Sequence, residues 1–254
     1  MEERRRAILR ELEEMGKVRV TDLSREYGCS EVTIRNDIKI LDREGLLKRT
    51  HGGAIRTEKE FVRKYSAESI YRNTDKKKKI AACAYEFIND RDTILIDDAS
   101  NSFYLALYIK EHPEKRLAVI TNSLLSGNEL AGVGHVDLYM VGGNVGGHLA
   151  ATMGDAAIQN IEQFRVDKAF IGVHGVNFDV GFTSIAAPQM QVKRAILEIS
   201  DEVYVLADSS KFGGGYLSVI CSIHEVYKII TDDEISKNNV KNAQEASVSL
   251  VIAR

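Results

Sequence analysis

The stretch Cys29-Ser30-Glu31-Val32-Thr33-Ile34-Arg35-Asn36-Asp37-Ile38-Lys39-Ile40-Leu41 decides how the first quarter of the chain is read. Ile34, Ile38 and Leu41 recur at spacings of four and three, which marks the buried face of a helix. Ser30 stands where an N-cap is wanted, and Gly45 stops the run. With that stripe turned inward, Val32, Thr33, Arg35, Asn36 and Lys39 point outward. These side chains suit a duplex. Arg pairs bidentately with guanine and Asn with adenine in the major groove. Thr bonds a phosphate or touches a thymine methyl, and Lys39 reaches phosphate.

Working outward, Ile8, Leu12 and Met15 form one face of an earlier helix ended by Gly16. Lys17-Val18-Arg19 reads as a short extended link. Val20, Leu23 and Tyr27 mark a second short helix, with Gly28 just past its end. Two helices joined by about three residues that include Gly form a helix-turn-helix. On the other side, Leu46 to Arg56 reads as two short strands around Gly52-Gly53. A hairpin directly after a helix-turn-helix is a wing. It carries Arg49, His51 and Arg56 to the nucleic-acid backbone or minor groove. Ser30, Val32, Thr33, Arg35, Asn36, Lys39, Arg49 and His51 are the candidate DNA-contacting residues.

As a set, Val18 to Leu23, Cys29 to Ile38, Leu41, Gly45 and Arg49-Thr50-His51-Gly52-Gly53-Ala54 resemble the winged helix-turn-helix of the DeoR family. That resemblance implies a bacterial transcription regulator, most often a repressor of a sugar-use operon, bound to double-stranded operator DNA. Asn36 stands where the family usually carries a second arginine, which bears on the operator sequence read.

The charge distribution agrees with a nucleic-acid-binding head on a different body. The chain of 254 residues has a net charge of −3, yet residues 1–64 hold 16 basic against 13 acidic side chains. The remainder holds 18 against 24. No run approaches the roughly 18 apolar residues of a membrane span. Met1-Glu2-Glu3-Arg4-Arg5-Arg6 lacks the apolar core of a secretory signal. Cys29, Cys83 and Cys221 are far apart, with no CxxC, so a disulfide framework or zinc cluster is not expected. A cytoplasmic protein without cofactor or metal is the expectation.

Residues 57–74 read as a helical linker, and a run of four lysines, 76–79, follows. The run suits either an electrostatic contact or, as preferred here, a solvated helix start. From there the pattern becomes α/β. Ile80 to Ile88 and Ser102 to Ile109 read as helices. Apolar strands are expected at 93–97, 117–121, 136–141, 168–172, 203–207, 227–230 and 247–252. Alternating strands and helices predict a mainly parallel sheet covered on both faces. Ligands of such sheets bind beyond the strand C-terminal ends. Those ends collect Asp97, Ser100, Asn101, Ser102, Thr121, Asn122, Ser123, Gly142, Gly143, His174 and Lys211. Small residues admit an anion to backbone amides, a helix N-terminus adds partial positive charge, and Lys211 adds a full one. The set suits a phosphorylated small molecule.

This body, residues 75–254, also resembles the DeoR-family sensor domain and, beyond it, the ribose-phosphate isomerase-like fold. The match lies in Ile96-Asp97 to Ser102, Thr121-Asn122-Ser123, Gly142-Gly143, Asp167 to Val173, Gly181-Phe182-Thr183 and Asp208 to Gly213. It implies a phosphorylated sugar effector and a homodimer or homotetramer. Ala99 replaces a usual glycine and is expected to restrict the first loop. The rival is a sugar-phosphate isomerase with a DNA-binding head. That chemistry needs a base, and the stretch Gly181 to Arg194 offers Thr183, Ser184, Gln189 and Gln191 but no carboxylate; Asp179, just before it, is the only nearby candidate. The expected architecture is therefore a winged helix-turn-helix, residues 1–56, followed by a non-enzymatic α/β sensor.

Overall fold

A computed structural model describes residues 2–15, 17–43, 47–50, 52–55, 68–146 and 150–254. The chain divides into two compact units, 1–69 and 70–254.

In the first unit, α1 (Glu2–Met15), β1 (Lys17–Arg19), α2 (Val20–Glu26) and α3 (Glu31–Arg43) are followed by β2 (Lys48–Thr50) and β3 (Gly53–Ile55). Ile8, Leu12, Leu23, Ile34, Ile38, Leu41 and Leu47 meet in one core, all buried. Gly28 turns the chain between α2 and α3 at φ 59°. The Ser30 hydroxyl accepts from the Thr33 amide at 3.2 Å, capping α3.

The extended link 17–19 does more than connect. It is a third strand, and the antiparallel sheet runs β1-β3-β2, with Val18 and Arg49 both opposite Ala54. Gly53 is needed for that sheet rather than for the turn. A Cβ there would stand 1.9 Å from the Val18 carbonyl oxygen, whereas one on Gly52 would meet nothing within 4 Å.

The second unit opens with α4 (Glu68–Tyr71), across the division between the units, and α5 (Thr74–Glu86). It continues through β4 (Thr93–Ile96), α6 (Ser100–Glu111), β5 (Leu117–Thr121), α7 (Leu124–Leu130) and β6 (Val136–Met140). The hairpin of β7 (Asn144–Gly146) and β8 (Ala151–Met153), then α8 (Asp155–Ile161) and β9 (Val166–Gly172), come next. β10 (Gly175–Asn177), β11 (Gly181–Ser184), α9 (Ala187–Glu198), β12 (Ser200–Leu206) and β13 (Ser218–Cys221) follow. β14 (Lys228–Asp232), α10 (Lys237–Glu245) and β15 (Leu250–Ala253) end the chain.

Seven strands form a parallel sheet in the order β15-β14-β12-β9-β4-β5-β6. The pleat sends alternate residues to opposite faces. Ile94, Ile96, Phe170, Tyr204 and Ile230 pack with α5 and α6, through Ile80, Ala84, Leu105 and Ile109. Leu95, Ala169, Ile171, Val205 and Ile229 pack with α8 and α9, through Ile161, Val192 and Ile196. A small antiparallel sheet, β10-β11-β13, accompanies the main one. The chain moves outward from β4 to β6, then returns to β9 and moves the other way. β4 and β9 therefore flank the topological switch point, where α/β sheets open a ligand crevice.

Two expectations change here. The lysine run lies inside α5 and is not simply solvated: Lys77 is 2% exposed, while Lys76 and Lys79 are ion-paired with Glu234 and Asp233. Ala99 does not restrict its loop, because its φ of −76° and ψ of 154° are open to any residue. Of the linker, residues 57–67 lie outside the described residues, and Tyr71 and Asn73 bracket a turn.

The glycine pair yields a direct test. Gly53→Ala should lower the unfolding midpoint of the first unit by about 4–8 °C for each kcal/mol lost. Gly52→Ala should stay within about 0.5 kcal/mol of the parent. Calorimetry of the full chain distinguishes the two.

Candidate functional site

The outward face of α3 carries the expected duplex-facing residues. Val32 is 76% exposed, an apolar side chain of the kind that touches a thymine methyl. Arg35, Asn36 and Lys39 are exposed beside it. Arg35 is tethered: its Nη2 donates to Glu31 Oε2 at 2.9 Å, one helical turn away. Ser30 and Thr33 join hydroxyls at 2.9 Å and hold the start of the helix. On the wing, Arg49 is exposed and its amide donates to Asp42 Oδ1 at 3.2 Å. His51 and Arg56 lie outside the described residues.

The sequence pattern did not single out Asp37. It sits within the apolar stripe of α3, three residues after Ile34 and four before Leu41, and is 2% exposed. Arg4 Nε donates to one of its oxygens at 2.7 Å and Arg5 Nε to the other at 3.2 Å. The carboxylate thus ties α1 to α3.

In the second unit, the switch point is organised by Asp97, which is fully buried at the end of β4. Its Oδ1 accepts from the Ala99 amide at 3.0 Å and from the Ser102 hydroxyl. Its Oδ2 accepts from the Gly172 amide at 3.0 Å and from Lys193 Nζ. All four acceptor positions are taken by groups of the protein. Asp97 therefore shapes the loops and offers no free lone pair.

Lys193 is the second residue that sequence pattern alone missed. It lies on α9, 2% exposed, on the same face as Val192 and Ile196. Its Nζ also stands 3.5 Å from Asp98 Oδ1. Against the desolvation of burial, Asp97 and Asp98 hold the Lys193 ammonium above its usual pKa. The available signal was a lysine within an apolar stripe, four residues after Gln189. Gln189 Nε2 donates to Asp98 Oδ2 at 3.3 Å, and Ser184 Oγ lies 3.5 Å from both Gln189 Oε1 and His174 Nδ1. Burial, reinforced by the charges of Lys193 and Lys211, pushes His174 down to about 3, so its ring is neutral.

The remaining strand ends are mostly engaged with the fold. Ser100 begins α6, whose N-terminus faces this loop. Asn101 Nδ2 donates to the Leu206 carbonyl at 3.1 Å, and Asn122 Nδ2 to the Thr152 carbonyl at 3.2 Å. The Oδ1 atoms of both asparagines are buried without a partner among the described residues. Thr121 Oγ1 accepts from the Ser123 amide, and Ser123 Oγ caps α7 through the Ser126 amide. The Gly142 amide donates to Asn160 Oδ1 at 2.9 Å, and Gly143 is exposed next to it. Lys211 is half-buried. Its charge also acts on Lys77, which burial pushes down to about 8. Lys77 Nζ donates to the Ile70 carbonyl at 3.3 Å and lies over the Tyr104 ring.

The buried pair can be tested by removing one member. Lys193→Met should destabilise the chain by about 3–5 kcal/mol, because it leaves a buried charge without its partner. Adding Asp97→Asn should recover part of that loss. Urea unfolding of the three proteins measures both effects.

The sequence matches a model of the DeoR-like helix-turn-helix domain over residues 4–60. It matches one of the DeoR C terminal sensor domain over residues 72–233. The transcriptional repressor AccR of Agrobacterium fabrum is 33% identical over 211 residues, 83% of this chain and 81% of that one. The lactose phosphotransferase system repressor of Lactococcus lactis is 30% identical over 227 residues, 89% of each. Ribose 5-phosphate isomerase A of Methanocaldococcus jannaschii aligns over 55% of each chain at 21% identity, with a TM-score of 0.39. Both of these relatives are named as repressors. With a helix-turn-helix that binds DNA and a C-terminal sensor domain, the chain belongs to the DeoR family of transcriptional regulators.

Proposed function

We propose that this regulator represses a sugar-utilisation operon and is controlled by a phosphorylated sugar. The observation that carries the effector reading is the pair of unmet acceptors, Asn101 Oδ1 in the first turn of α6 and Asn122 Oδ1 on the loop after β5. A buried polar atom without a partner costs about 1–3 kcal/mol. Sugar hydroxyls are donors of the kind these atoms lack. Lys211 and the N-terminus of α6 suit the phosphate, and neutral His174 suits a hydroxyl. Within this reading, Ser100, Thr121, Ser123, Gly142 and Gly143 line the crevice. Asp97 and Ser102 hold its shape. The repressor reading draws support from the names of AccR and the lactose phosphotransferase system repressor.

On the DNA side, Val32, Arg35, Asn36 and Lys39 face the major groove, with Arg49 on the wing; His51, outside the described residues, is assigned a DNA contact from the sequence pattern alone. Ser30 and Thr33 position them. One head reads few base pairs, so affinity comes from two heads on paired half-sites, in a homodimer or homotetramer. The isomerase alternative lacks the expected base: between Gly181 and Arg194 there is no carboxylate, Asp98 is held by Lys193 and Gln189, and Lys193 is locked on Asp97.

Two measurements test these assignments. The duplex that the full chain selects from a random library serves as the operator. Arg35→Ala should weaken it by about 1–3 kcal/mol and relax discrimination at one position; equal loss on every sequence would make Arg35 a phosphate contact. Lys211→Ala should bind that duplex like the parent and lose the response to a panel of phosphorylated sugars. Titrations at one fixed salt concentration are required, since phosphate contacts make affinity salt-dependent. A variant that still responds at the parent's effector concentration removes Lys211 from the site.

A further inference from the structure

The first turns of α1 read Glu2-Glu3-Arg4-Arg5-Arg6. Consecutive arginines at a helix N-terminus oppose the helix dipole, which favours negative charge there. Such a placement needs compensating negative charge, to which Glu2 and Glu3 of the same turn contribute. Asp37 supplies part of it, since one carboxylate serves two guanidinium groups.

The geometry of that triad leaves donors over. Each arginine directs its Nε to Asp37, at 2.7 Å for Arg4 and 3.2 Å for Arg5. Among the described residues, no hydrogen bond is donated by the Nη atoms of either. The arginine side chains are 26% and 22% exposed, while the carboxylate beneath them is 4% exposed. The triad therefore carries one net positive charge, with two planar donor forks oriented by a buried anchor. Asp37 follows Thr33 by four residues, so it lies at the edge of the buried stripe of α3, next to the side that carries Thr33. A guanidinium fork matches two oxygens of a phosphate. An oriented fork loses less conformational freedom on binding than a free one.

We propose that Arg4 and Arg5, held on Asp37, form a preorganised clamp for a backbone phosphate of duplex DNA, beside the groove read by α3. Asp37 is a positioning residue of this clamp and touches no DNA. The proposal concerns the DNA-binding head alone and is independent of the effector reading.

The test uses the full chain and the duplex it selects from a random library, with affinity measured by fluorescence anisotropy across a salt series. The double variant Arg4→Gln/Arg5→Gln should flatten the slope of log K against log salt by about 0.9 for each phosphate that the protein no longer neutralises. Its base preference should not change. Asp37→Asn separates orientation from charge. It adds one positive charge locally, so arginines acting as charges alone would bind DNA more tightly. A clamp that has lost its anchor binds more weakly, and Asp37→Glu restores part of the affinity. A parent-like salt slope in the double variant overturns the proposal. So does tighter binding by Asp37→Asn, or a loss of thermal stability in Asp37→Asn with DNA affinity unchanged. If the double variant does not fold, Arg4→Lys and Arg5→Lys keep the charge and remove the fork. Weaker binding by them at an unchanged slope supports the clamp, and parent-like affinity overturns it.

Discussion

The sensor unit depends on one buried carboxylate. Asp97 ends the first strand of a sheet whose order reverses beside it, and it gathers donors from three places. The Ala99 amide and Ser102 hydroxyl bring in its own loop, the Gly172 amide the end of β9, and Lys193 the helix α9. Taking the two charges out of water costs several kcal/mol per ion, and attraction offsets that only when the remaining lone pairs are also satisfied. Here they are. The gain is geometric: loops from separate parts of the chain are held in one arrangement around the switch point.

Further polar and charged groups adjoin that carboxylate. Asp98 and Gln189 continue from Lys193 toward Ser184 and His174 as a polar, uncharged or acidic lining. His174 feels the charges of both Lys193 and Lys211, and Lys211 in turn acts on Lys77. Lys211 and Lys77 thus share the start of α5 with Asp208, and Lys76 there pairs with Asp232 and Glu234.

The DNA-binding unit solves a similar problem with Asp37. An acidic side chain within the apolar stripe of α3 is tolerable because two guanidinium groups meet it. The recognition helix is thereby fastened to α1 by charge as well as by Ile8, Leu12, Ile34 and Ile38. The opposite face remains exposed. Hydrophobic packing alone fixes position only as well as side-chain volumes allow. A carboxylate held by two nitrogens adds direction.

Periodicity made the three helices of the first unit, α5, α6 and the strands of the main sheet legible, because burial of one face imposes a repeat of 3.6 or 2 on the apolar residues; the helices α7 to α10 and the short antiparallel strands were not legible in it. The β-hairpin wing, the parallel sheet and the polar strand ends followed from local pattern, since turns and helix caps use few residue types. Ser30 as a cap is one such case. Residue type also marked Val32, Arg35, Asn36 and Lys39 as outward, once Ile34, Ile38 and Leu41 were inward. What local pattern could not contain was the pairing of charges distant in the chain. Asp97 and Lys193 are 96 residues apart, and Asp37 and Arg4 are 33 apart. Gly53 looked like a turn residue because its real constraint, the carbonyl of Val18, lies on another strand. Lysines 76–79 looked solvated because Ile70, Asp233 and Glu234 meet them only after folding. Sequence by itself determined which residues turn inward and which chemistry lines the strand ends. Tertiary structure alone decided which charges neutralise each other, because Coulomb attraction depends on distance in space rather than along the chain.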